Sequence, residues 1–471
     1  MSTGRGRGTG SSTDRLRPGA TVFLLLLAVV LFAAASLRFF RLDAQSFWND
    51  EGNSARIAER PLRLILEGAA GDVHPPGYYL LLAGWRALLG ESEFALRSLS
   101  VVAGLAMVGC TALLGHHLFG PEVGLAAATL TAASPFAIYY SQEARMYALL
   151  GALSVASSFA ATRLVDALTV PDAERRHDWA RPAAAYVLLN AAGLYTHYAF
   201  IFVVIAHNVV FGLRWVGDVF RRRASWRAGA VWAGVQVGAA LLYVPWTPVA
   251  LHAAGWSSAG ADHRLIWALS DVVRVLTVGI SESASGGWPA MVTALGLALL
   301  GTWPGGMERT PGKSDLSGTW RLVTTCVYLL VPLVLFFGFD LYKPAWLKFL
   351  IVLLPPFLLL VAVGIRTFAG LAAQLVAGSE SGERGVQRAV MVVGVAAVVG
   401  LMVPSLHNLY FDPAYARDDY RQIAADIAEM RRPGDAIVLN APNQWEVFTY
   451  YYPDEDVYPA PYRPGPEGAE G

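Results

Sequence analysis

The sequence predicts an all-α protein that crosses a membrane many times. Of its 471 residues, 55% are hydrophobic and only 15% are charged, with a mean hydropathy of +0.43. Apolar runs recur along the chain, several close to the length of about 20 residues that crosses a bilayer. Lys and Arg gather in alternate loops between those runs, as the positive-inside rule requires of a polytopic chain. The formal net charge is +0, so no bulk field recruits nucleic acid. Cys110 and Cys326 both lie inside apolar runs, which argues against a disulfide framework or a zinc cluster.

Taken in order, residues 1–18 are rich in Gly, Ser, Thr and Arg and are expected to be a disordered cytoplasmic N-terminus. The arginines ahead of Thr21–Ser36 imitate a secretory signal, but the many further spans favour an uncleaved first helix. About eleven spans follow from the apolar runs. They fall near 20–40, 96–115, 121–139, 146–165, 183–199, 200–216, 228–249, 288–304, 322–339, 346–367 and 389–407, within a membrane domain of residues 19–407. The loop ends bearing Arg5–Arg17, Arg163, Arg175, Arg176, Arg181, Arg214, Arg221–Arg223, Arg227, Arg309, Lys313, Arg321, Arg366, Arg384 and Arg388 then share one side. That side is expected to be cytoplasmic, and 41–95, 140–145, 250–287, 340–345 and the tail from 408 to lie outside. The chain reads as a multi-pass protein of the plasma membrane.

Tyr78–Leu89 is apolar but short, and it carries Arg86. If it spanned, every later loop would change sides, so it is expected to lie along the outer interface, where Tyr78, Tyr79 and Trp85 suit the headgroup zone. Arg56–Leu66 has the same amphipathic character, giving two juxtamembrane helices in the first outer loop. In the tail, Asp418–Arg431 places Ile423, Ala424, Ile427 and Met430 on one helical face. Pro433-Gly434-Asp435 reads as a turn and Ala436–Leu439 as a short strand. Residues 408–471 are thus a small α/β segment, too small for an ample core of their own and expected to pack on the outer face.

The candidate chemistry gathers in those outer loops. Asp50 and Glu51 follow Trp48-Asn49; a carboxylate there can take a proton from an attacking hydroxyl or amine. The same residues can equally be a solvated turn with Asn49 or Asp50 as a helix cap. Asp72 and His74, in Asp72-Val73-His74-Pro75-Pro76, offer an acid and an imidazole on a fixed backbone, or simply a turn into the next helix. In Ser141–Tyr147, Glu143 and Tyr147 are four apart and can share a helical face. Glu143 and Arg145 are two apart and cannot, which frees Arg145 to hold a phosphate or to snorkel to headgroups. His197, in Tyr195-Thr196-His197-Tyr198, is a ligand contact or an interfacial histidine. Lys343 and Lys348 flank Pro344-Ala345-Trp346 and suit an anionic headgroup, or serve as anchors. What unites these residues is that the topology puts them on one side.

The runs WNDEGNSARIAERP, DVHPPGYYLLLAGWRALLGESEFALRSLSVVAGL, YSQEARMYALLGAL and YTHY resemble, in that order, the family 39 glycosyltransferases. The resemblance covers residues 20–210 well and 341–366 loosely. It implies a GT-C membrane fold, a polyprenyl-phosphate-sugar donor, and chemistry on the non-cytoplasmic face. By that family's pattern Asp50 is the general base and Glu51 the second acid, while Glu143 and Arg145 stand in the site wall. The tenth-span entrance, Arg-Tyr in the family, here reads Lys348-Phe349, which keeps the charge but not the guanidinium fork. The implied reaction is an inverting displacement onto a lipid, glycan or protein acceptor. The leaving phosphate is held by Arg145, Lys348 or His74, so neither a nucleotide nor an obligatory metal is required. A divalent cation on Asp50, Glu51 and Asp72 is the alternative. Outside enzymes, the rivals are a lipid-linked glycan transporter or flippase and a non-catalytic membrane protein, but no internal repeat supports a transporter.

Overall fold

The computed structural model describes residues 18–70, 74–169, 179–254, 264–303, 316–377, 379–439, 441, 444–453 and 457–459. These form nineteen α-helices, among them α1 (Pro18–Phe39), α2 (Asn49–Ala58), α3 (Leu62–Ala70), α4 (Gly77–Leu89), α5 (Glu93–Phe119), α6 (Pro121–Ala133), α7 (Pro135–Ser141) and α8 (Tyr147–Thr169). The chain continues through α9 (Ala180–Thr196), α10 (Phe200–Phe220), α11 (Trp226–Tyr243), α12 (Thr247–Ala254), α13 (Leu265–Val278), α14 (Ala284–Gly301) and α15 (Leu316–Gly338). A 3₁₀ helix, Pro344–Leu353, feeds α16 (Leu354–Val376), followed by α17 (Glu380–Phe411), α18 (Tyr420–Met430) and α19 (Trp445–Tyr451).

Nine helices among the described residues are long and apolar enough to cross a membrane, and α6 with α7, bent by 59°, makes a tenth. The expected count was eleven; the difference is α9, whose 17 residues fall one short of a full span by that measure. The 183–216 stretch does divide into two helices, broken at His197–Ala199. The 250–287 loop, expected to lie outside, holds a helix, α13, that its mixed sequence did not announce.

The first long loop differs in detail from the expected pair of helices. Arg56–Leu66 is not one helix, because Pro61 cannot continue α2 and instead opens α3, with Leu64 and Ile65 donating to its carbonyl. The loop therefore carries three short helices, α2 to α4. The capping reading of Asn49 and Asp50 also gives way, since Trp48 occupies the N-cap position and no side chain caps the helix.

α16 is the central pillar, buried from Leu354 through Ile365. Its tightest neighbour is α14. A Cβ on Gly301 would meet the Leu360 carbonyl oxygen at 2.1 Å, and one on Gly364 would meet that of Leu297 at 1.9 Å. The two backbones touch where small residues allow it, the usual way for helices to associate in lipid. At the other side, Pro135 cannot donate to the Thr131 carbonyl four residues back. The buried Arg38 at the end of α1 supplies the missing donors, bonding Thr131 O (3.2 Å) and Ala132 O (2.9 Å), with Ser141 Oγ at 3.2 Å. That pins the α6–α7 bend against α1.

The tail forms a helix, α18, and a strand, β1 (Ile437–Leu439), where the sequence placed them, but Ile423 and Met430 of the expected face are exposed and Tyr420 and Ala424 are buried instead. It adds α19 and β2 (Val457–Pro459), parallel to β1. It lies on the first loop. α19 packs directly on α2, where a Cβ on Gly52 would meet Val447 at 2.4 Å. Arg56 Nη2 donates to Thr449 O (2.8 Å), Phe47 N to Tyr451 Oη (2.6 Å), and Arg421 Nη2 to Glu93 Oε2 (2.6 Å).

The α14–α16 contact makes a direct prediction. Gly364→Ala forces these backbones apart and should cost about 1–3 kcal/mol or more, seen as lost yield and lower Tm in detergent. Gly296→Ala on α14, with nothing within 4 Å of its added Cβ, should leave both unchanged. Equal behaviour of the two variants would refute the close contact.

Candidate active site

The site assembles where α2 begins. In a helix successive side chains point about 100° apart, so the adjacent carboxylates Asp50 and Glu51 face different surroundings. Glu51 turns inward and is fully buried. Arg97, near the start of α5, grips it with two bonds, Nε to Oε1 at 2.8 Å and Nη2 to Oε2 at 2.7 Å. Ala144 N donates to Oε1 (2.7 Å) and Arg417 Nη1 to Oε2 (3.2 Å). Burial alone would push this carboxyl up, but Arg97 and Arg417, with these hydrogen bonds, outweigh it and hold Glu51 below the usual carboxylate range. Arg97 spends its remaining hydrogens on the carbonyls of Leu42, Gln45 and Ser46, so it also fixes the chain that leads into α2.

Asp50 turns the other way and is 29% exposed. Its Oδ2 lies 3.5 Å from Lys348 Nζ and 3.7 Å from Arg145 Nη2. Both are longer than a good charge-assisted hydrogen bond, so the carboxylate is in loose ion pairs with two cations, Lys348 Nζ donating a long hydrogen bond to Oδ2. Arg145 is itself anchored, with Nη1 donating to Asp50 O (3.2 Å) and Ser54 Oγ (3.1 Å). Lys348 arrives on the 3₁₀ helix, and the ring of Tyr147 lies 5.0 Å from its Nζ and 5.8 Å from the Arg145 guanidinium carbon.

Glu143 and Arg145 stand in a non-helical turn, because α7 ends at Ser141 and α8 begins at Tyr147. The expectation that Glu143 and Tyr147 share one helical face therefore fails. The turn closes with Arg145 N on Glu143 O at 2.8 Å. Glu143 is buried and takes Arg417 Nη2 on Oε1 at 3.3 Å. Burial, the largest influence, pushes it up to about 7, against the pull of Arg417.

The far wall is aromatic. His197, in the break between α9 and α10, lies with ring centroids 4.5 Å from Phe349, 5.6 Å from His74 and 6.2 Å from Tyr147. Its Nδ1 accepts from Ala199 N (3.0 Å), which leaves the proton of the neutral ring on Nε2. Burial and the nearby His74, Lys348 and Arg145 hold its pKa well below the ordinary value. Nε2–H is buried with no hydrogen-bond partner, a donor awaiting an acceptor.

Of the residues singled out in the sequence, Asp50, Glu51, His74, Glu143, Arg145, Tyr147, His197 and Lys348 thus converge. Lys343 sits instead over the ring of Trp346, 4.6 Å from its centroid. Asp72 lies outside the described residues. Among the described residues no three His, Cys, Asp or Glu side chains are grouped to hold a metal ion, and Glu51 is committed to guanidinium groups. Two arginines of the site stand outside the set that the sequence points to. Arg97 had a signal, a charge inside an apolar run. Arg417 had none, since it is 366 residues from its partner Glu51.

A family model described as dolichyl-phosphate-mannose-protein mannosyltransferase matches residues 73–248. No curated protein matches in sequence. Among solved structures, ArnT from Cupriavidus metallidurans in the apo state is similar at a TM-score of 0.56 and 14% identity, over 93% of this chain and 86% of that one. The same protein bound to undecaprenyl phosphate gives 0.53 and 15%, over 93% and 85%. The oligosaccharyltransferase AglB from Archaeoglobus fulgidus, with an inhibitory peptide and a dolichol-phosphate, gives 0.60 and 11% over 92% of this chain. This chain spans only 63% of AglB's length. At such identities the likeness is one of fold, and the fold is GT-C.

The geometry around Glu51 predicts the effect of removing its charge. Glu51→Gln keeps the shape but strands Arg97 in the interior, and breaking such a pair costs about 3–5 kcal/mol. Expression and Tm in detergent should fall sharply for this variant and hardly at all for Glu91→Gln, whose carboxylate is 65% exposed. A group held below its usual range stabilises above that range and stops doing so as pH falls through it. The difference between wild type and Glu51→Gln should therefore be full at neutral pH and shrink only below the ordinary value of 4.5.

Proposed function

From its standing as a family-39-like GT-C protein, we propose that this chain is a glycosyltransferase of the plasma membrane. It moves a sugar from a polyprenyl-phosphate donor to a lipid, glycan or protein acceptor on the extracytoplasmic face. The observation that carries the reading is the framing of Asp50, a partly exposed carboxylate loosely paired with a cation on either side. A general base needs free lone pairs and access to the acceptor; a departing phosphate needs fixed positive charge. Asp50 with Arg145 and Lys348 offers both within one side chain's reach.

In the reaction the acceptor's hydroxyl or amine gives its proton to Asp50 and attacks the anomeric carbon. The bond to the phosphate oxygen breaks on the opposite face, and the configuration inverts. Arg145, held by Ser54 and the Asp50 carbonyl, is pre-set to take one phosphate oxygen. Lys348 takes another as a point charge. The unpartnered Nε2–H of His197 suits a sugar hydroxyl, and the neighbouring rings of Tyr147 and Phe349 suit the sugar's apolar face. Glu51 acts through structure, holding α2 so that Asp50 faces the cations. The similar structures fit this donor class, since ArnT is seen with undecaprenyl phosphate and AglB with dolichol-phosphate. The external placement rests on the arginine bias of the opposite loops.

Asp50→Asn keeps the fold and removes the base, so transfer from a polyprenyl-phosphate sugar in membranes should fall by about 10²-fold or more. Undiminished transfer at normal protein level would sink the assignment. Arg145→Lys should raise the donor KM more than it lowers kcat, because it keeps the charge but loses the fork. An unchanged donor KM would remove Arg145 from the phosphate site.

A further inference from the structure

We propose that Arg417 is a positioning residue that completes the site from the tail, joining Glu51 and Glu143 only when the segment after α17 is docked on the first loop. The proposal rests on the reading above that this cluster is an active site, but its geometry stands apart from that reading.

Arg417 follows the long helix α17 and belongs to neither the spans nor the α18–α19 unit. Even so, its side chain, 12% exposed, reaches in among residues from other parts of the chain. Nη1 donates to Glu51 Oε2 (3.2 Å) and Gln142 O (3.3 Å), Nη2 donates to Glu143 Oε1 (3.3 Å), and the guanidinium carbon lies 5.0 Å from the Tyr139 ring centroid. Two carboxylates on separate segments, both buried, repel one another unless a cation stands between them. Arg97 satisfies only Glu51. Arg417 is the cation that spans both.

The backbone around Arg417 is clamped to the strand of chain that enters α2. Arg417 N donates to Gln45 Oε1 (3.0 Å), Ser46 Oγ donates to Asp418 O (3.0 Å), and Tyr420 N donates to Ser46 Oγ (3.0 Å). These bonds place the guanidinium, so lifting the tail withdraws it. The charged and titratable groups facing Glu143 are then Glu51 on α2, Lys348 on the 3₁₀ helix, and Tyr139 and Tyr140 on α7. Among the surrounding charges Arg417 is the strongest influence favouring ionised Glu143. Without it Glu143 holds its proton to higher pH.

The test uses the full chain in detergent and needs no donor. Tm is measured against pH for wild type, Glu143→Gln, Arg417→Met, Arg417→Lys and the Arg417→Met/Glu143→Gln double variant. Arg417→Met should lower Tm, and lower it less when Glu143 is already Gln; Arg417→Lys should recover part of the loss. A carboxyl whose folded value is raised stabilises below its ordinary range and loses that contribution as pH rises through the folded value. The advantage of wild type over Glu143→Gln should therefore decline as pH rises towards about 7. In the Arg417→Met background that decline should continue to higher pH. Equal Tm losses in both backgrounds, or a decline that stays in place, would overturn the proposal. A wild-type protein that transfers no sugar would refute the proposed function and leave the Tm comparison unaffected.

Discussion

The interaction on which the candidate site and its surroundings depend is the buried pair of Glu51 and Arg97. Both side chains are essentially excluded from solvent, at 0% and 1% exposure. Either charge alone would carry a desolvation penalty of several kcal/mol, so each is tolerable only because the other is there. The pair draws in further segments, since Ala144 and Arg417 donate to the same carboxylate and Arg97 also binds three carbonyls ahead of α2. One carboxylate thereby sets the places of α5, the 142–146 turn, the entry to α2 and the tail. Because Glu51 is fixed inward, its neighbour Asp50 has no choice but to face Arg145 and Lys348.

The same economy of polar groups governs the bend between α6 and α7. A proline in a span frees a carbonyl that lipid cannot satisfy. Arg38 resolves this by donating to Thr131 and Ala132 while holding Ser141. The bend is what ends α7 short of the next span and leaves Gln142–Met146 as irregular backbone. Gln142 is then tied by its own Nε2 to the carbonyls of Arg38 and Phe40. A constraint of the membrane interior thus shapes the turn that carries Glu143 and Arg145.

Most of the fold was legible because spans announce themselves by length and hydropathy, and the tail helix by its 3.6-residue period. Boundaries failed where one residue decides them. Pro61 split an amphipathic stretch into two helices, and α9 stops at Thr196 so that His197 can turn into the site. The candidate residues were legible as types near one side of the membrane, but their division of work was not. Nothing in Asp50-Glu51 says which carboxylate turns inward, since that depends on Arg97, 46 residues away. Arg417 was further out of reach, because a lone arginine in a polar tail looks like any solvated one until the tail folds back.

The contrast between the two adjacent carboxylates bears on how such a site can work at all. Glu51 has a partner for each oxygen, and taking a proton there would break a buried ion pair, so it is a poor base however close a substrate comes. Asp50 is held at 3.5 and 3.7 Å by cations that a phosphate could draw away. Glu51, fixed by Arg97, Ala144 and Arg417, keeps α2 in place, so the ions around Asp50 can exchange partners without moving the helix.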